Sequence, residues 1–131
     1  MRCVLFLSLL MASAATPGPL SGQALTRDRN ASWVAPAGAD RRPNPLASRP
    51  EAADGGAKTY SQRCTSCHGE RGEGSANAPT LTTADVQQQT DGALFWKISS
   101  GNAHAGMPAF SRLPEPQRWQ IVLHLRALAP Q

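Results

Sequence analysis

The sequence predicts an all-α fold with three to five short helices. From residue 51 onward, apolar side chains recur three or four positions apart, the spacing that aligns them on one face of a helix. No segment alternates between apolar and polar residues over the length of a strand, and no Asn-Gly pair marks a hairpin. A chain of 131 residues has room for one such domain and some tail.

Residues 1–24 have the pattern of a secretory signal peptide. A short basic start precedes an apolar run over residues 4–11, and Gly22-Gln23-Ala24 resembles a signal peptidase site, with Ser13-Ala14-Ala15 as a second candidate. The apolar run is too short to anchor the chain across a bilayer. We therefore expect a periplasmic protein that loses Cys3 with its signal and keeps no integral membrane segment.

Residues 25–50 have the composition of a flexible, Pro/Arg-rich arm. They contain five arginines, two aspartates and four prolines, and they show no apolar periodicity. Trp33 and Leu46 could dock on the domain, although a solvated tail is the favoured interpretation. From Glu51 to the C-terminus, seven basic residues balance seven acidic ones, so the domain lacks the basic excess of a nucleic-acid-binding protein.

The predicted domain, residues 51–131, opens with a helix that starts at Pro50 and ends by Gly69. Proline is favoured in a first helical turn, where the helix dipole also favours the acidic side chains of Glu51 and Asp54. One face of this helix carries residues spaced four, four and three apart: Gly56, Tyr60, Cys64 and Cys67.

Two further helices follow a glycine-rich loop over residues 69–79. Thr83 can cap a short helix over residues 84–89, in which the glutamines 87 to 89 form an exposed face. Thr90 or Asp91 can cap the next helix, which ends at Gly101 and buries Leu94, Phe95 and Ile98.

The last helix begins after a loop over residues 102–113. Pro114 to Pro116 start it, and it has a broad apolar face that consists of Trp119, Val122, Leu123, Leu125 and Leu128. The domain contains five aromatic residues, and a domain of this size usually needs an additional group to complete its core. With Cys3 removed, only Cys64 and Cys67 remain, and a bond between them would close no useful loop.

The segment Cys64-Thr65-Ser66-Cys67-His68 has the C-x-x-C-H spacing of a haem attachment site. Thiols three residues apart on a helical turn point the same way, so each can form a thioether with one haem vinyl group. The adjacent His68 then supplies an axial imidazole to the iron. The sequence therefore predicts one haem c, bound covalently through Cys64 and Cys67, in the centre of the domain.

Two other interpretations of the cysteine pair fit less well. A zinc site needs further ligands, yet no second cysteine pair follows, and His104 and His124 lie at no standard zinc-finger spacing. A thioredoxin-like dithiol lies at the start of a helix that follows a strand, whereas Cys64 and Cys67 lie at a helix end.

Met107 is the favoured second axial ligand. It lies in a loop about forty residues after His68, between Gly106 and Pro108, and it is the one methionine that remains after signal removal. His104 is the competing candidate for this ligand, and the other interpretation of His104 is a solvated loop residue. Trp96 is a packing residue or, alternatively, an indole donor to a haem propionate.

Over residues 51–129 the chain resembles class I mono-haem cytochromes c of the small bacterial periplasmic kind. The family pattern G-x-x-x-[FY]-x-x-x-C-x-x-C-H is met by Gly56, Tyr60, Cys64, Cys67 and His68. The family's G-x-G loop is matched by Gly72 and Gly74, and its axial-methionine loop by residues 106–108.

The resemblance implies a cytochrome c fold and roles for individual residues. Pro79 matches the proline whose carbonyl accepts the proximal imidazole N–H, and Leu81 would then pack on the haem. Residues 91–101 match the helix that lines the haem pocket, and the last helix would cross the first at Gly56 and Tyr60. The chain departs from many relatives at His124, where they carry an aromatic residue.

An iron with both axial positions filled by protein can only exchange electrons, which predicts an electron carrier and not an enzyme. The expected partners are a redox donor and a redox acceptor, met either as a monomer or as a subunit of a respiratory or dehydrogenase complex. Two alternatives stay open: a thiol-disulfide oxidoreductase that uses Cys64 and Cys67, and a haem-based gas sensor or peroxidase in which Met107 is not bound.

Overall fold

A computed structural model describes residues 33–129 of the chain. Within this range there is no strand, and two isolated bridges join Ser75 to Ala78 and Asn102 to Met107. Short 3-10 turns cover Pro50–Ala52 and Ala103–Ala105. The α-helices are α1 (Ala37–Asp40), α2 (Ala53–Arg63), α3 (Thr65–His68), α4 (Ala84–Gln87), α5 (Asp91–Ser100) and α6 (Glu115–Ala127). The all-α prediction is confirmed: five of these helices lie in the predicted domain, and α1 lies in the predicted arm.

The helix expected from Pro50 to Gly69 is divided into three pieces. A 3-10 turn precedes α2, and Cys64, with φ of −121°, interrupts the helix before α3. The amides of Cys67 and His68 both donate to the Cys64 carbonyl, at 3.1 and 2.9 Å. The chain therefore restarts a new helical turn at Cys64, with the second cysteine and the histidine on it.

Helices α2 and α6 cross in close contact. A Cβ atom added to Gly56 would lie 2.0 Å from the Gln120 carbonyl oxygen, so this crossing requires glycine. One turn later Tyr60 is 2% exposed, and its ring centroid lies 4.9 Å from that of His124. The imidazole thus packs against Tyr60 at the crossing, and burial lowers the pKa of His124, which favours its neutral form there.

Most of the buried core residues lie on α5 and α6. All three predicted core residues of α5 are buried, and the ring of one of them, Phe95, stacks on Trp119 at 3.9 Å between centroids. On α6 the structure buries Trp119, Val122 and Leu125 as predicted, together with Ile121, which the predicted face omitted. Thr90 caps α5 by accepting a hydrogen bond from the Ala93 amide at 3.0 Å.

The described part of the segment predicted as a flexible arm packs against the domain. Leu46 is 7% exposed and belongs to the hydrophobic core. The Arg42 guanidinium lies 4.8 Å above the Phe95 ring and pairs with Glu115 at 2.7 Å. Lys97 places its ammonium 4.8 Å from the Trp33 ring centroid. Trp33 and Leu46, the two apolar residues that could dock, both contact the domain, and these contacts do not depend on helical periodicity.

Close backbone contact at Gly92 completes this packing. A Cβ atom there would lie 2.2 Å from the Ala39 carbonyl oxygen and 2.8 Å from that of Arg42. The Thr90 hydroxyl also donates to the Asp40 carbonyl oxygen at 2.7 Å. The predicted signal peptide and residues 25–32 of the arm lie outside the described residues. Between residues 33 and 129, no helix combines the length and the apolar character needed to cross a membrane.

We expect Gly56→Ala to lower the free energy of unfolding by about 1–3 kcal/mol, because its methyl group would meet backbone at the helix crossing. Gly55→Ala is the matched control. The atoms nearest to its Cβ would be those of the Gln120 side chain, which can move, and alanine is favoured over glycine in a helix by about 0.5–1 kcal/mol. Denaturant unfolding followed by circular dichroism measures both. Equal losses in the two variants would contradict the crossing described here.

We expect Gly92→Ala to detach the segment around α1, because its methyl group would displace three backbone carbonyls of residues 39, 40 and 42. Limited trypsin digestion should then cleave after Arg41 roughly five- to 150-fold faster, since an overpacking cost of about 1–3 kcal/mol raises the open population by that factor. Gly38→Ala, whose added Cβ meets open space, should leave the cleavage rate unchanged. A cleavage rate that Gly92→Ala does not alter would mean that the segment does not depend on this contact.

Candidate haem-binding site

Of the two free thiols, Cys64 lies at the N-cap of the short helix α3 and Cys67 lies within that helix. Cys64 is half-buried and packs against the hydrophobic core, whereas Cys67 is exposed. Burial, with a smaller contribution from the neighbouring Cys67, raises the pKa of the Cys64 thiol to about 11. Thiols that exchange disulfides usually have a lowered pKa, so the environment of Cys64 does not favour that chemistry.

His68 is oriented by one hydrogen bond to the backbone. Its Nδ1 lies 3.0 Å from the carbonyl oxygen of Pro79, as the resemblance implied. A carbonyl can only accept, so Nδ1 carries the proton and the neutral ring keeps a lone pair on Nε2. Burial lowers the pKa of His68, partly offset by this hydrogen bond, and thereby favours the neutral ring that a metal ion requires.

The glycine-rich loop returns the chain so that Pro79 reaches His68. Gly72 is buried with φ of +73°, and the Leu81 amide donates to its carbonyl at 2.7 Å. The Gly74 amide donates to the His68 carbonyl at 2.8 Å. Leu81 is half-buried and packs against the core. These contacts hold the two ends of the loop together beside the imidazole.

The loop that contains Met107 is closed by a pair of backbone hydrogen bonds. The Asn102 amide donates to the Met107 carbonyl at 2.9 Å, and the Met107 amide donates to the Asn102 carbonyl at 3.0 Å. Gly106 completes the turn with φ of +81°. Met107 is half-buried, whereas His104 is exposed on the 3-10 turn. Asn102 is 8% exposed and was not among the predicted site residues, because nothing in its sequence context indicates a loop closure.

The two tryptophans of the predicted domain, Trp96 and Trp119, differ in what their indoles can do. The Trp119 indole donates to a Glu115 carboxylate oxygen at 3.2 Å, so a partner within the protein already satisfies it. Trp96 is half-buried on α5, and its contact with a haem propionate stays a prediction.

The residues brought together at α3 fit a covalently attached haem. Two unpaired thiols lie one helical turn apart, and the next residue offers an imidazole whose Nδ1 is already engaged. Within residues 33–129, no three His, Cys, Asp and Glu side chains are grouped so that they could hold a metal ion by themselves. The two thiols and the imidazole are the groups that a covalently attached haem requires.

A comparison with known families gives a match over most of the predicted domain. The model of the family described as cytochrome C oxidase, cbb3-type, subunit III matches residues 51–125. No curated protein and no solved structure matches the chain. The match covers more than half of the 131 residues and includes both cysteines and His68. The chain therefore belongs to the family of cbb3-type cytochrome c oxidase subunit III, a c-type cytochrome family, which agrees with the mono-haem cytochrome c that the sequence resembles.

Proposed function

We propose that this chain is a periplasmic electron-transfer protein that carries one electron on a single haem c. Membership of a c-type cytochrome family supports haem-based electron transfer. The observation that carries the proposal is the 3.0 Å contact between His68 Nδ1 and the Pro79 carbonyl, directly after two free cysteines. This contact leaves Nε2 as the free donor atom, which is what an axial ligand needs.

Each residue of the site has a distinct part in this proposal. Cys64 and Cys67 would hold the haem by thioether bonds, and His68 and Met107 would be the axial ligands. When bound, the haem supplies an iron that gains and loses one electron. The fixed His68 ring and the closed Met107 loop would limit rearrangement between the two oxidation states. With both axial positions occupied, the chain acts as a carrier and not as an enzyme.

The carrier works either freely or as the cytochrome subunit of a larger oxidoreductase. The matched family is named for an oxidase subunit, which supports membership in a complex. Its partners are then a redox donor and a redox acceptor. The predicted signal peptide supports a periplasmic location.

Covalent attachment can be tested on protein produced in cells that mature c-type cytochromes. We expect sharp absorption bands in the reduced protein and a haem that stays with the polypeptide during acid-acetone extraction. Because both thioethers would be lost, the double variant Cys64→Ala/Cys67→Ala should release the haem or fail to acquire it. Ser66→Ala, an exposed position between the cysteines, should retain it. A folded wild-type protein without pigment would overturn the proposal.

The identity of the second axial ligand can be tested by comparing Met107→Ala with His104→Ala. We expect Met107→Ala to abolish the far-red sulfur-to-iron band of the oxidised protein and to let the reduced protein bind carbon monoxide. His104→Ala should change neither property, because this side chain is exposed. Carbon monoxide binding by the unmodified reduced protein would instead support the gas sensor or peroxidase. A loss of low-spin spectra in His104→Ala alone would indicate bis-histidine ligation.

A further inference from the structure

Gln87 makes two side-chain hydrogen bonds that link separate parts of the domain. Its Nε2 donates to the Leu81 carbonyl at 2.8 Å and to the Leu125 carbonyl at 3.0 Å. The sequence places Gln87 in an exposed run of three glutamines, but the structure shows that its side chain is half-buried. Gln88, the next residue, is exposed as predicted. The interpretation of the run as one exposed face was therefore wrong for Gln87 and for Gln89, which is also half-buried. The side chain of Gln87 is directed toward α6, where it reaches the Leu125 carbonyl.

The two carbonyls that accept from Gln87 belong to residues outside the regular hydrogen-bond pattern of a helix interior. Leu125 lies in the last turn of α6, where helical carbonyls lack an amide partner four residues later. The Ala129 amide, which would be that partner, donates to the Arg126 carbonyl instead. Leu81 lies in the irregular segment before α4. Gln87 thus donates hydrogen bonds to the backbone of the segment before α4 and to the backbone of α6.

Arg126 holds the backbone of Gln87 in place. Its Nη1 donates to the Gln87 carbonyl at 2.7 Å, and its guanidinium pairs with Asp91 at 2.8 Å. This ion pair is partly buried, and the guanidinium also donates to the Gln89 carbonyl. The end of α4 is therefore fixed to α6 both through the Gln87 backbone and through its side chain.

Leu81 connects this arrangement to the imidazole of His68. Its amide donates to Gly72 and its carbonyl accepts from Gln87, so the peptide groups on both sides of Leu81 are held. The carbonyl that orients His68 belongs to Pro79, two residues earlier. Movement of the segment from 79 to 81 would lengthen the Pro79–His68 hydrogen bond.

From this geometry we infer that Gln87 is a positioning residue for the axial His68, a role that rests on the proposed haem function. Gln87 anchors the segment that carries the Pro79 carbonyl to α6, and it does not contact the imidazole itself. A firm hydrogen bond at Nδ1 makes an imidazole a stronger electron donor to a metal ion. Gln87 therefore favours the oxidised form of the protein, and its loss raises the reduction potential.

The test compares Gln87→Met with Gln88→Met in the haem-loaded protein. Methionine keeps the length of the side chain but cannot donate to Leu81 or Leu125. We expect Gln87→Met to shift the one-electron redox equilibrium constant toward the reduced form by up to about tenfold, which corresponds to a rise in potential of about 59 mV. The shift is limited to this size because Gln87 contacts the segment that carries the orienting carbonyl and not the imidazole. We also expect faster solvent exchange of the His68 Nδ1 proton, followed by NMR in the reduced protein. Gln88→Met should match the wild type in both measurements.

Arg126→Lys provides a second variant should Gln87→Met not fold. Lysine keeps the charge but offers one ammonium nitrogen in place of the three guanidinium nitrogens that donate to Asp91, Gln87 and Gln89, so a smaller shift in the same direction is expected. A lower melting temperature for Gln87→Met with an unchanged potential and an unchanged proton exchange rate would overturn the inference and leave Gln87 a purely structural residue. A wild-type protein without haem c would overturn the proposed function first, and this role with it.

Discussion

The site depends on the hydrogen bond from His68 to the carbonyl of Pro79. An imidazole on a four-residue helix has little to hold its ring in one orientation, and this 3.0 Å contact supplies the constraint. It selects the tautomer with a free Nε2, and it connects α3 to a chain segment eleven residues later. The intervening loop must therefore return the chain from His68 to a position where the Pro79 carbonyl reaches the imidazole.

The helix crossing is the scaffold on which that loop rests. Gly56 lets α2 approach the backbone of α6, and Tyr60, one turn later, is buried by the approach. The Tyr60 hydroxyl donates to the Gly69 carbonyl at 2.8 Å, at the point where the loop leaves α3. The crossing and the loop are therefore connected through one side chain, and burial is the main reason why the pKa of Tyr60 is raised to about 12. The hydroxyl stays protonated and keeps its role as a donor.

Residues before the family match complete the surface of the domain. The match begins at residue 51, yet Leu46 belongs to the core and Arg42 covers the aromatic pair of α5 and α6. The contact is close enough that Gly92 cannot be replaced without displacing backbone. This segment covers apolar surface on α5 and α6. The Arg42 guanidinium lies between the Phe95 ring and the Glu115 carboxylate. A small domain with few aromatic residues gains core in this way from chain outside the family region.

The sequence alone determined the helical class, the short motif from Cys64 to His68 and the loop around Met107, because each depends on residues close together in the chain. The same local pattern predicted the cap at Thr90 and the buried face of α5. Tertiary structure decided whether residues 33–50 pack and what Gln87 contacts. Those outcomes depend on contacts between residues that are tens of positions apart in the chain: the Gln87 amide with the Leu125 carbonyl, and the Arg42 guanidinium with the Phe95 ring. No repeating pattern in the sequence indicates such contacts. A backbone carbonyl is the same chemical group at every position, so only the fold specifies which of them an amide side chain reaches.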